Sequence, residues 1–124
     1  MLIDADLTDL IIGKAIEVHS SLGPGLLESV YEACLAYELT ESGLNVVRQK
    51  VLPVRYKNIL LDDGLRMDMV IENRVIIELK CVEKILPVHE AQLYTYLKLS
   101  EYRVGLLFNF YTRYLKDGMK RIVM

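Results

Sequence analysis

The sequence predicts one mixed α/β domain over residues 1–124, with helices packed on a single sheet of mixed direction. Three observations carry this. Two stretches of helical periodicity precede any strand. Two alternating apolar stretches then meet at a polar turn over residues 72–74. One more helical stretch separates that pair from a strongly apolar strand, RVGLLFNF. Hydrophobic residues make up 52% of the chain and charged residues 26%, which suits a globular domain with one core.

The first helix is expected from about Leu7 to Leu22. Ile11, Ile12, Ala15, Ile16 and Val18 form its apolar stripe. Thr8 is the expected cap, with Asp9 in the first turn. Gly23-Pro24-Gly25 ends it, because proline cannot continue a helix and glycine tolerates left-handed geometry. A second helix is expected from Leu26 to Ser42, stopped by Gly43. Glu28 falls in its first turn, where the macrodipole favours a negative charge, and Tyr31, Leu35 and Glu38 share its side.

Asn45 to Tyr56 predicts a strand, with Pro53 marking an edge or a bulge. Lys57 to Leu65 predicts a loop turning at Asp62-Asp63-Gly64. Arg66 to Lys80, RMDMVIENRVIIELK, predicts a hairpin. With a loop of residues 72–74, position i faces position 146 − i, so Asp68 lies opposite Glu78 and Arg66 opposite Lys80. Two carboxylates so placed repel unless a cation or a shared proton lies between them. The competing reading is a solvated polar face on an edge hairpin. Pro87 suits the first turn of a third helix running to about Ser100, with His89, Gln92 and Tyr96 on one stripe. A buried strand follows over Arg103 to Phe110, then a loop over Tyr111 to Gly118 and a last short strand over Lys120 to Val123. A helix between Lys80 and Arg103 is a natural crossover to a parallel strand.

The net charge of −2 gives no global attraction for nucleic acid, so such binding must rest on a local patch or on metal ions. Cys34 and Cys81 are too few for a zinc or iron–sulfur set and suit buried thiols in a reducing cytoplasm. The N-terminus lacks the layout of a signal peptide. No apolar run approaches the ~18 residues of a membrane span, so no membrane partner is expected.

Asp68, Glu78-Leu79-Lys80 and the later Gln92-Leu-Tyr-Thr-Tyr96 together resemble the PD-(D/E)XK nuclease superfamily, and the Gln-xxx-Tyr element resembles its RecB-like branch. Gly25-Leu26-Leu27-Glu28-Ser29-Val30-Tyr31 resembles the signature of the small GxxExxY proteins of that superfamily. The runs VHSSLGPGLLESVYE, YELTESGL, HEAQLYTYLKL, GLLFNF and LKDGMKRIV extend the likeness over roughly residues 8–123. The proline that often precedes the metal-binding Asp is replaced by Met67.

The resemblance implies a restriction-endonuclease-like αβββαβ core with an additional N-terminal helix, and a bacterial or archaeal cytoplasmic setting. It implies hydrolysis of phosphodiester bonds in nucleic acid, DNA in preference to RNA, with Mg²⁺ or Mn²⁺. Asp68, Glu78 and the backbone carbonyl of Leu79 would be metal ligands, joined by Glu28 from the second helix. Lys80 would orient the attacking water, stabilise charge or act as base, and Gln92 would orient water, lysine or phosphate. Tyr31 and Tyr96 would touch the substrate or wall the site. His19 and His89 recur near the site in such proteins, although a lone helical histidine is more often a structural hydrogen-bonder. Arg66 would bind phosphate or pair with Asp68 or Glu78. A domain this short suggests a homodimer, which would double the substrate footprint. The other function class open to this sequence is a nuclease-fold module that binds nucleic acid or a protein partner without turnover.

Overall fold

The computed structural model describes residues 4–124. Helix α1 spans Ala5–Leu22 and α2 spans Glu28–Glu41. Strands β1 (Val46–Tyr56), β2 (Ile59–Ile71) and β3 (Val75–Lys80) follow. Helix α3 (Pro87–Leu99) leads to β4 (Val104–Asn109). A short 3₁₀ turn, Leu115–Gly118, precedes β5 (Met119–Val123). The strands form one sheet in the order β1-β2-β3-β4-β5. All neighbours are antiparallel except β3 and β4, the pair joined through α3. This is the expected mixed α/β arrangement: α2, β1, β2, β3, α3 and β4 make the αβββαβ core, and α1 is the additional helix.

Helices cover both faces of the sheet. On one face Leu7, Ile11, Ala15 and Val18 of α1 and Tyr31, Leu35 and Leu39 of α2 pack with Met69, Ile71, Ile77, Leu79, Leu106 and Phe108. On the other face Leu93, Tyr96 and Leu97 of α3 pack with Met67, Val70, Ile76 and Leu107. A strand covered on both faces needs apolar residues at every position, and β3 has them from Val75 to Leu79 except at Glu78. Gly105 lets α3 settle on the sheet, since a Cβ there would lie 2.8 Å from Leu93 Cδ1.

Three local expectations are corrected. Thr8 does not cap α1. It lies buried inside the helix, its hydroxyl donating to the Ala5 carbonyl at 3.1 Å, and Asp4 is the cap residue. A threonine near a helix start can bond back to a carbonyl as readily as cap an N–H. Helix α2 begins at Glu28, two residues after the expected start at Leu26. The expected loop over Lys57–Leu65 is mostly strand. Tyr56 pairs with Ile59 across a two-residue turn, Lys57-Asn58, with Lys57 at φ 51°. Asp62-Asp63-Gly64 is a bulge within β2, where the register slips between Leu52 and Val54. Pro53 lies at that slip on the edge strand, where its missing N–H is tolerated.

Candidate active site

Strands β2 and β3 meet at the turn Glu72-Asn73-Arg74, where Glu72 and Asn73 adopt left-handed φ values of 54° and 53°. Their ladder contains Ile71↔Val75, Val70↔Ile76 and Met69↔Ile77, the register expected from a 72–74 loop. The next pair would be Asp68 and Glu78, and there the ladder stops. The Asp68 N–H donates to Glu78 Oε1 at 3.2 Å, and the Leu79 N–H donates to Asp68 Oδ2 at 2.8 Å. Each carboxylate thus takes a main-chain donor of the opposite strand. The two side chains stand where ladder bonds would be, and the strands part around them.

Burial makes this pair costly as two anions. Glu78 is only 4% exposed, while Asp68 is half-buried. Burial, then the charge of Asp68, pushes the Glu78 carboxyl up to about 8. Burial also raises Asp68, against the lowering effect of the Leu79 N–H. Burial and the adjoining Asp68 carboxylate thus favour a proton on Glu78 over two anions side by side.

Lys80 follows two residues after Glu78, on the sheet face that α3 covers. Its Nζ donates to Gln92 Oε1 at 3.3 Å, and Gln92 Nε2 donates to the Tyr96 hydroxyl at 2.9 Å. These contacts fix the amide of Gln92 and tie the ammonium to α3. Tyr96 is nearly buried, and burial followed by the charge of Glu78 raises its phenol, which therefore stays protonated.

Glu28 is the first residue of α2. It is exposed as a residue, yet partial burial and then the charge of Asp68 raise its carboxyl, while Lys80 lowers it. It therefore sits within electrostatic reach of the pair. Cys81 is half-buried rather than buried, and its thiol is raised by burial and then by Glu28. Among the described residues, no group of three or more His, Cys, Asp and Glu side chains stands arranged for a metal ion. Asp68 and Glu78 are in contact, and Glu28 is a charged neighbour outside that contact.

Other expected site residues have different places. Tyr31 has no exposed surface and packs inside the core. It stacks on Phe110 at 4.5 Å, its hydroxyl donates to the Gly23 carbonyl, and it accepts from the Leu26 N–H at 3.1 Å. It anchors the Gly23–Leu26 turn and so sets where α2 begins, three residues before Tyr31, at Glu28. His19 is buried, with Nε2 2.7 Å from the Thr112 carbonyl, and joins α1 to the segment after β4. His89 Nδ1 accepts from the Leu86 N–H at 2.9 Å and caps α3. Arg66 faces Val51 of β1 and is not paired with Lys80, because β2 has left β3 by that point.

Sequence reasoning missed Glu32, Arg48 and Gln49. Glu32 is buried on α2 and bonded by both Arg48 and Gln49 of β1, at 3.0 Å and 2.6 Å. Its spacing of four from Glu28, on the same helical face, was the available signal. A groove of about 280 Å³ between α1 and α2, lined by residues such as Val18, Leu22, Cys34 and Tyr37, holds none of the site residues.

A family model of the PD-(D/E)XK nuclease superfamily matches residues 5–122. The chain belongs to this superfamily. Asp68 and the Glu78-Leu79-Lys80 run have the residue types and order of the motif that gives the superfamily its name. The sequence matches no curated protein. Among solved structures, an alkaline exonuclease from Laribacter hongkongensis is similar over 94% of this chain and 81% of that one, with 15% identity and a TM-score of 0.48.

Proposed function

We propose that this PD-(D/E)XK protein is a divalent-metal-dependent nuclease of the small GxxExxY group, hydrolysing phosphodiester bonds of DNA in preference to RNA. One observation carries the reading. The β2–β3 ladder is broken by two adjacent carboxylates, with an amine two residues further along β3.

The donor set fits a hard divalent cation. Two side-by-side carboxylates repel, and both lean toward protonation. A cation with oxygen preference relieves that repulsion and can displace the proton. Asp68, Glu78 and the Leu79 carbonyl would hold Mg²⁺ or Mn²⁺, with Glu28 joining from α2 directly or through water. When bound, the ion supplies a water of lowered pKa and neutralises phosphate charge.

The chain's own residues then position the reaction. An ammonium has three donors, and Gln92 takes one from Lys80. The remaining two are available to the attacking water and a phosphate oxygen. The Tyr96 hydroxyl accepts from Gln92 and keeps its own proton to donate. Glu78 is itself shielded from bulk water by its burial.

A second reading, a module that binds nucleic acid or a protein partner without turnover, is favoured by the unassembled third carboxylate. One experiment separates the two. Thermal unfolding is followed with and without Mg²⁺ or Mn²⁺ for wild type and Asp68→Ala, and single-stranded, duplex and flap DNA and matching RNA are then offered. A metal at 100 times its Kd stabilises the native state by about 2.7 kcal/mol. The nuclease reading expects that gain in wild type only, with metal-dependent cleavage of DNA exceeding that of RNA. No metal response and no cleavage would move the assignment to the binding module.

A further inference from the structure

The contact between α2 and the edge strand β1 is built on a distorted backbone. Neighbouring residues of a regular strand point to opposite faces. Arg48 and Gln49 are neighbours in β1, yet both bond the same side chain. Gln49 makes this possible by taking φ 51°, a left-handed conformation that β1 keeps in the middle of its ladder with β2. Glutamine gains nothing locally from that conformation, so its persistence points to the contact it permits.

The contact is complete. Glu32 Oε2 takes Arg48 Nε at 3.0 Å and Nη2 at 2.9 Å, and Oε1 takes Gln49 Nε2 at 2.6 Å. The carboxylate is buried and both oxygens are used, so Glu32 is not itself a spare metal ligand. Its location matters more. Glu32 is one helical turn from Glu28 on α2. Arg48 faces Met69, the residue next to Asp68 on β2. The grip therefore joins the helix that carries one expected ligand to β1, the strand paired with the Asp68-bearing strand β2. It lies close enough for the charge of Glu32 to reach both Glu28 and Asp68.

We propose that Glu32 is a positioning residue, held by Arg48 and Gln49 so that α2 presents Glu28 to the Asp68–Glu78 pair. The inference rests on the metal-dependent reading of that pair. Tyr31 sets where α2 starts; the Glu32 grip sets how the helix is rotated and how near it lies to β2. Without it, Asp68 and Glu78 remain in place on the sheet, while Glu28 loses its fixed approach.

Glu32→Ala would leave the cation of Arg48 without its partner and is a poor test on its own, since it can fail through loss of folding. Gln49→Gly separates the two effects. Glycine accepts the left-handed conformation without strain and removes only one arm of the grip. The assay is Mn²⁺ binding by calorimetry, with the metal-free unfolding midpoint and steady-state cleavage of DNA measured in parallel. The expected result for Gln49→Gly is a folded protein whose unfolding midpoint stays close to that of wild type, the relieved strain offsetting much of the lost hydrogen bond to Glu32. Mn²⁺ affinity falls roughly 10–100-fold, as for other residues that orient a metal ligand, and kcat falls while KM for DNA holds. Glu28→Gln should give the same loss, and combining the two should add little, because both act through one ligand. Wild-type Mn²⁺ affinity in a folded Gln49→Gly protein overturns the assignment. Absence of Mn²⁺ binding and cleavage in wild type overturns the metal-dependent reading, and this inference with it.

Discussion

Glu78→Gln in the metal-free protein should be more stable than wild type, by an amount that grows with pH. The native carboxyl of Glu78 is pushed up to about 8, from an ordinary value of 4.5. Between those values the unfolded chain has released the proton and the native state still holds it. Stability contributed by this group is therefore complete below pH 4.5 and is lost as pH rises to about 8. One pKa unit corresponds to about 1.4 kcal/mol, so linkage sets the loss at roughly 3 kcal/mol by pH 7 and roughly 5 by pH 9, as upper values. Glutamine matches the protonated form in shape. Its carbonyl can accept the Asp68 N–H that now reaches Glu78 Oε1 at 3.2 Å. It never ionises, so the variant escapes the loss. The assay is urea unfolding of both proteins at pH 5, 7 and 9 with a chelator present. The stability difference should be within about 1 kcal/mol at pH 5 and should widen in favour of the variant at each higher pH. A constant difference, or one favouring wild type as pH rises, would mean that Glu78 is ionised and well paired in the native state. That would refute the account of the site as two crowded carboxylates. Added Mg²⁺ should stabilise wild type increasingly toward pH 8, because it competes with the proton, and should not stabilise the variant.

Two more outcomes are expected. Lys80→Ala should keep the metal-linked rise in unfolding midpoint while cleavage falls by about 10²–10⁴-fold, the range typical of a lost proton-transfer or charge-stabilising group; parallel calorimetry and cleavage assays check this. Tyr31→Phe removes the hydroxyl that both donates to Gly23 and accepts from Leu26. It should cost about 1–3 kcal/mol in urea unfolding through the unsatisfied loop groups, and it should lower metal affinity because α2 then frays at Glu28.

Much of this protein was determined by its local sequence. Period-2 alternation across the 72–74 turn put Asp68 opposite Glu78, because a one-residue slip would have turned a charged side chain toward the core that Met69 and Ile77 fill. Proline and glycine punctuation set the ends of α1 and α3 to within two residues. The order of Glu28, Asp68, Glu78-Leu79-Lys80 and Gln92-xxx-Tyr96 marked the superfamily before any geometry. The Asp62-Asp63-Gly64 turn signal misled, because a bulge opposite Pro53 uses the same residues as a turn.

Only the tertiary structure decided what the carboxylates do to the strands, and which residues serve the site from outside it. Glu32 meets Arg48 and Gln49 across sequence separations of 16 and 17, through a left-handed residue that no propensity predicts. Tyr31 and His19 carry the composition of site residues, yet both are buried hydrogen-bonders that hold helices in place. Periodicity reports which face a side chain occupies. Whether that face meets solvent, a helix or another charge depends on packing between segments far apart in the chain, and those contacts leave no local pattern to read.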